Sequence, residues 1–378
     1  MMYTETIKLE SVITDIAAGP FGSNLKVSCF VDYGFPIIDG ANLKGFKVTD
    51  NVTKFVTEEK ARSLHRSIAK RNDVIVTISG TLGQIAYIPE NSMFEEYLCS
   101  QRQFRVSFDT ERVFVPYLVY YFHSREGQHK ILSFANQTGV PALSQPLKNF
   151  RNIEVDLPDI DTQKQIASVM LSLDNKIELN TAINENLEQQ AQAIYRSMFV
   201  TLHHDSDRMG LLSELITVKY GKDHKKLNDG VYPVYGSGGI MRYVERPLYD
   251  KESVLIPRKG SLNNVMYVNE PFWSVDTMFY TEMKQPNVAK FVFHFVKSKD
   301  LASLNAGSAV PSMTTDILNS MELRIPSADR LAEFEGLVAP LYRAIEDNTR
   351  QSARLAALRD TLLPKLMNGE IDVSAVQI

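Results

Sequence analysis

Cysteine is scarce in this chain: two residues in 378, Cys29 and Cys99, with no CxxC spacing. That leaves room for one disulfide at most and excludes a disulfide scaffold; free thiols in a reducing cytoplasm are the expectation. No apolar run approaches the ~18 residues that span a bilayer, so no membrane contact is expected. The opening Met-Met-Tyr-Thr-Glu-Thr-Ile-Lys lacks the apolar core of a signal peptide. Catalytic signatures are missing too. There is no Gly-x-x-x-x-Gly-Lys-Ser/Thr loop. With no Pro-Pro pair anywhere, the Asn-Pro-Pro-aromatic motif of amino-methyltransferases is excluded. Ser and His are scattered without the context of a nucleophile elbow. Charge of one sign is also lacking, with 41 Lys and Arg against 45 Asp and Glu. The 44% apolar and 23% charged composition is that of a soluble globular protein with two or three domains.

What is present is a duplication. Leu173, Ile177, Asn180, Asn184, Leu187, Ala191, Ile194 and Met198 advance in steps of four and three, a heptad seam on one helix. Adding 168 to each number gives Leu341, Ile345, Asn348, Ser352, Leu355, Arg359, Leu362 and Leu366, the same seam with one misfit at Arg359. Upstream, Ile153, Val155, Leu157 and Pro158 match Met321, Leu323, Ile325 and Pro326. A constant offset of this kind marks two copies of one unit ending in a long helix. About 40 residues make a helix of about 60 Å, too long to bury a narrow seam against its own domain. Each helix is therefore expected to pair with the other, antiparallel, with Asn180/Asn348 and Asn184/Ser352 as polar register marks. The competing expectation is two ordinary amphipathic helices packed on separate cores.

The expected organisation is α+β: two similar mixed domains, 1–158 and 201–326, separated by two long antiparallel coiled-coil helices, 159–200 and 327–378, in a pseudo-twofold repeat. In the first domain, Gly19–Asn24 reads as a loop and Thr57 as a helix cap followed by Glu58 and Glu59. Asp73–Ile78 and Gln84–Ile88 read as strands around the Ser79–Gly83 turn. Phe104, Val106 and Phe108 alternate as in a half-buried strand, Phe114–Leu132 is helical, and Pro158-Asp159 is a stop-and-cap signal. Gln137–Ser144 reads as a loop and His203-His204-Asp205 as a solvated linker. In the second domain, Val254–Val268 matches Val74–Ile88 at an offset of 180, Val288–Phe295 forms a helical face, and Ser308–Thr314 matches Thr138–Ser144. Gly236–Gly239 reads as a turn. Pro364 should bend or break the last helix, and Gly369 should cap it.

Charge is unevenly spread. Asp159–Phe199 holds six acids and three bases, and Ser327–Asp372 eight acids and six bases; with a total of −4, the rest of the chain is left at +1. The globular parts are thus near neutral and compatible with a phosphate-bearing partner met through local patches. The patches are Arg66, Lys70 and Arg71; Ser79 and Thr81; Gln101, Arg102, Gln103 and Arg105; Lys222, Lys225 and Lys226; and Arg258, Lys259, Ser261, Asn263 and Asn264. Arg, Gln, Asn and Ser are side chains that hydrogen-bond base edges, and Lys neutralises phosphate. Two domains with one architecture and different polar loops fit two sensors reading two sequences.

Gly19-Pro-Phe-Gly-Ser23, Thr138-Gly-Val-Pro-Ala-Leu143 ahead of Asn152–Pro158, Gln163-Lys-Gln-Ile166 with Leu173-Asp-Asn-Lys-Ile177, and Leu363-Pro-Lys-Leu-Met-Asn-Gly-Glu-Ile371 occur in this order within a duplicated chain. Over essentially its full length the chain resembles the DNA-specificity subunit of type I restriction–modification systems. The resemblance implies a non-catalytic chain with two target-recognition domains, each reading half of a split site in double-stranded DNA. It implies helices that serve as spacer and as a platform for DNA adenine methyltransferase subunits, two of them. Restriction/translocase subunits would join the full complex, and S-adenosylmethionine would bind the methyltransferase. Other classes fit parts of the sequence: a protein-interaction scaffold, the specificity subunit of a related restriction system, or a nuclease using Asp159, Asp174 and Lys176 with a metal ion.

Overall fold

The computed structural model describes residues 4–136, 140–201, 206–304 and 312–373. The segments expected as a loop at 137–139, as the linker at 203–205 and as the repeat of that loop at 308–311 lie outside the described residues. The chain divides into two compact units, Met1–Leu179 with Gln351–Ile378, and Asn180–Arg350.

The first unit is built on an antiparallel sheet in the order Ile13–Ala18, Gln103–Phe108, Val74–Thr77, Ile85–Tyr87. Thr4–Lys8 pairs with Glu154–Pro158 and ties the chain's start to the strand leading into the first long helix. The aromatic helix Val115–His123 lies against this frame, and Ser124 caps a second helix, Arg125–Leu132. Tyr117, Tyr120, Phe122, Phe104 and Phe150 are buried together with Ile166 and Met170 of one long helix and Leu363 and Leu366 of the other. A second sheet runs Phe55–Val56, Phe35–Ile38, Glu96–Cys99, Ile68–Lys70, with a parallel pair at its centre. This sheet has its own apolar clusters around Tyr97 and Leu98.

The second unit repeats the frame. Its sheet runs Ile216–Tyr220, Met278–Met283, Ser253–Pro257, Met266–Val268, again antiparallel. Arg208–Leu211 pairs with Glu322–Ile325, as the first strand pairs in the other unit. Helix Ala289–Lys297 takes the place of the aromatic helix. The equivalence is residue by residue. Thr77 pairs with Gln103 and Pro257 with Met278. Gly19 presses on the carbonyl of Ser100, where an added Cβ would sit 1.9 Å from its oxygen; Gly221 presses on that of Val275 at 2.0 Å. Only glycine permits such an approach. The units differ in the second layer, which here is a three-stranded sheet, Gly239–Val244, Asp229–Gly236, Trp273–Ser274. The architecture is α+β with an internal repeat.

Long helices span Ile160–Tyr195 and Ala328–Met367. Asp159 caps the first, its carboxylate accepting from the amides of Asp161 and Thr162. The second does not break at Pro364: the missing donor falls near the helix end, and termination is left to Gly369, at φ 70°. Within each unit the helices pair in opposite directions. In the second unit Asn180 meets Asn348 and Asn184 meets Ile345, so one number rises as the other falls. In the first, Asp174 meets Arg359.

Candidate nucleic-acid interface

The turn after the second sheet strand is the same device in both units. In the first, Ile78 N–H donates to Arg102 O at 2.7 Å, Gly80 N–H donates to Pro141 O at 3.0 Å, and Ser79 bridges to Ala142. In the second, Arg258 N–H donates to Thr277 O at 2.9 Å, Met313 N–H donates to Arg258 O at 2.9 Å, and Lys259 bridges to Ser312. Gly80 and Gly260 take φ of 97° and 83°, which turns the chain sharply and leaves Thr81 and Ser261 exposed.

These turns gather many of the polar side chains expected from the sequence. In the first unit, Ser79, Thr81, Gln101 and Arg102 rim a cavity of about 510 Å³. Gln103 lies buried in its floor, held by Ser100. Gln84 closes one wall, donating to Gly40 O at 3.1 Å while accepting from Thr77. In the second unit, Lys259, Ser261 and Asn264 are exposed on the turn, and Asn264 Nδ2 donates to Ser237 O at 2.8 Å. The Arg258 guanidinium lies over the Tyr220 ring, 5.3 Å from its centroid. Lys222, Lys225 and Lys226 are exposed on the segment that starts at Gly221, with Lys222 N–H donating to Ser274 O at 2.8 Å.

Other expected residues stand elsewhere. Arg66, Lys70 and Arg71 belong to the second layer of the first unit; Lys70 is 3.9 Å from Glu96, and Arg71 donates to Ser92 O at 2.9 Å. Arg105 is buried, because its strand is covered on both faces rather than half-buried as the alternation of Phe104, Val106 and Phe108 implied. It reaches Asp15 at 2.6 Å and Arg66 O at 3.0 Å. Burial works against a charged Asp15, but the Arg105 bond and charge outweigh it and hold the carboxyl below its ordinary range. Asn263 joins Asp300 and Ala302 instead of facing outward alone. The turn at Gly236–Gly239 is the hairpin tip expected there, but sequence reasoning did not place its Ser237 at the candidate interface and missed the exposed Phe21, Tyr220 and Met241; no spacing rule marks an apolar side chain left in solvent.

The helix seam is more polar than a coiled coil's. Ile166, Met170 and Leu173 of the first helix pack in the first unit's core region with Leu362, Leu363 and Leu366 of the second, while Ile177 and Leu355 are half-buried. In that region the misfit Arg359 finds its partner: Nη1 bonds Asp174 at 2.7 Å, Tyr120 O–H donates to the same carboxylate, and the guanidinium covers Phe46. In the second unit, Asn348 Nδ2 donates to Asn184 Oδ1 at 2.9 Å; Leu187 is half-buried, and Ile194, Leu341 and Ile345 are half-buried against the unit's core. Ser352 is half-buried in the first unit. In the second unit His294, the counterpart of Tyr120, bonds Gln192 at 2.6 Å and Tyr342 at 3.0 Å. The nuclease alternative loses its residues: Asp159 is a helix cap, Asp174 is bound by Tyr120 and Arg359, and no metal-binding group of acids, His or Cys occurs among the described residues.

A family model described as the type I restriction modification DNA specificity domain matches residues 22–189 and 210–330. The chain belongs to this family. Both matched stretches fall on the repeated frame, so the specificity domain occurs twice. Among relatives, the MjaIX type I restriction enzyme specificity subunit of Methanocaldococcus jannaschii is 20% identical over 361 residues, covering 84% of this chain and 82% of that one. The HindI specificity subunit of Haemophilus influenzae is 23% identical over 330 residues, covering 58% and 69%. The crystal structure of a type I restriction-modification S subunit from M. genitalium shares the fold, with a TM-score of 0.60, 18% identity and coverage of 97% and 96%. The family is that of a non-catalytic specificity subunit. Among the described residues, no helix is long and apolar enough to cross a membrane.

Proposed function

We propose that this chain is the DNA-recognition subunit of a type I restriction–modification complex, each unit reading one half of a split, asymmetric site in the major groove. The observation that carries this reading is a repeated frame that presents the same turn with different side chains: Ser79, Thr81, Gln101 and Arg102 in one unit, Arg258, Lys259, Ser261 and Asn264 in the other. Arg and Asn pair bidentately with guanine and adenine edges, and lysine neutralises phosphate. Lys222, Lys225 and Lys226 supply phosphate contacts in the second unit; Arg66, Lys70 and Arg71 supply them beside the first.

In this reading the paired helices set the unread gap, at one base pair per about 3.4 Å, and dock two DNA adenine methyltransferase subunits. S-adenosylmethionine binds those partners, restriction/translocase subunits complete the complex, and the assembly works in the cytoplasm. Co-expression with a methyltransferase partner and genome-wide mapping of modified adenines tests it. A bipartite motif is expected; modification without one, or none at all, would refute it. Lengthening both helices by matched turns should change the gap and keep the half-sites.

A further inference from the structure

The hairpin of the second unit, Asp229–Gly236 and Gly239–Val244, takes the place of Phe35–Ile38 and Phe55–Val56 in the first unit, each an antiparallel pair whose inner strand runs parallel to a third, but here the strands are longer and joined by a tight turn. Its outer strand is a sheet edge, paired on one side by Asp229–Gly236. On that strand Ile240, Met241 and Tyr243 are 49%, 61% and 50% exposed. The pairing passes from Tyr235↔Ile240 to Val234↔Arg242, so Met241 is a bulged residue without a cross-strand partner. It lies across Gly236, where a Cβ would meet its sulfur at 2.5 Å.

An exposed apolar edge is a liability that folds usually blunt with charge or cover. Here the strand's one charge, Arg242, is turned inward to Asp229 at 2.6 Å and to Leu227 O at 3.0 Å. The ribbon is also held to the candidate interface. Asn264 grips Ser237 at the tip, and Gly260 must stay bare to admit the Ser237 hydroxyl, which an added Cβ would approach to 2.7 Å. Residues 222–246 carry five Lys and Arg against three acids in a chain whose total is −4. A second copy of this ribbon would be repelled by that surplus; a phosphate backbone would be attracted.

Resting on the DNA-recognition reading above, we infer that this hairpin enters the major groove as a ribbon and that Ile240 and Met241 read thymine methyl groups in one half-site. The groove is about 12 Å wide, accepts a two-stranded ribbon, and presents the thymine C5-methyl as its apolar feature.

The test uses the full chain assembled with its methyltransferase partner and target duplexes in which each thymine is replaced singly by deoxyuridine, which lacks that methyl. For the unsubstituted chain, binding should weaken about fourfold at one or two positions, all in one half-site, the effect of one methyl group. An Ile240→Ala/Met241→Ala chain should lose that sensitivity and bind the opposite half-site as before. Insensitivity to every deoxyuridine, unchanged sensitivity in the double variant, or a double variant that alters oligomeric state in light scattering while leaving the deoxyuridine profile intact would each overturn the inference. Absence of any sequence-specific retention by the unsubstituted complex would instead overturn the underlying reading.

Discussion

Arg359 is the residue most at odds with the heptad seam, and its replacement gives the sharpest test of how the helix pair is held to the first unit. The side chains of Arg359 and Asp174 are 19% and 10% exposed. Removing one partner of a buried pair costs ~3–5 kcal/mol because the other charge is left without compensation. Arg359→Leu leaves Asp174 one remaining donor, the Tyr120 hydroxyl, and the site is partly wetted. The expected loss is therefore ~2–3 kcal/mol, or about 5–10 °C in the melting of a unit this size. Asp174→Leu should cost less, ~1–2 kcal/mol, because Asp360 stays 2.8 Å from the guanidinium. The double change Asp174→Leu/Arg359→Leu restores an apolar seam and should return to within ~1 kcal/mol of the original chain or exceed it, as apolar replacement of buried pairs often does. Urea unfolding of all four chains closes the cycle. A single Arg359→Leu chain as stable as the original, or a double variant worse than both singles together, would refute the claim that these residues act as a pair.

Other outcomes follow from the same packing. Burial first, and the nearby Lys297 charge second, push the His294 pKa down to about 3. An unfolded histidine takes its proton near pH 6.5, so stability is whole above that pH and falls as pH drops from 6.5 towards 3, by up to ~1.4 kcal/mol per unit. His294→Gln should flatten this slope in acid unfolding curves. Gly19→Ala and Gly221→Ala each drive a Cβ to about 2 Å from a carbonyl oxygen; each should cost ~1–3 kcal/mol in calorimetry and disturb one half-site only. Lys290 is buried between Glu252 at 2.9 Å and Glu335 at 2.7 Å. Lys290→Met should destabilise the second unit by ~3 kcal/mol, measured as an earlier urea midpoint.

The duplication was legible because it is written in local pattern: the seam from Leu173 to Met198 and its copy from Leu341 to Leu366 need only helical periodicity. Thr57, Asp159 and Gly369 were legible as caps because capping is local chemistry. The turns at Ser79 and Lys259 were legible because a glycine follows each at the end of an apolar strand. The second layers were not. Phe35–Ile38 pairs in parallel with Glu96–Cys99 across a long stretch of chain, and nothing in four residues announces a partner so distant. For the same reason Arg105 looked outward-facing, since alternation shows which residues share a face but not whether a second layer covers the other one. Asp174 sits beside the seam in sequence and inside it in space; its partner is 185 residues away.

The central claim is that two equivalent frames read two independent half-sites. Its most direct measurement is a methylome from a chain whose residues 1–150 come from another specificity subunit, expressed with the same methyltransferase. The account predicts a motif with one half replaced and the other half and the gap retained. A motif altered in both halves, or in neither, would contradict it.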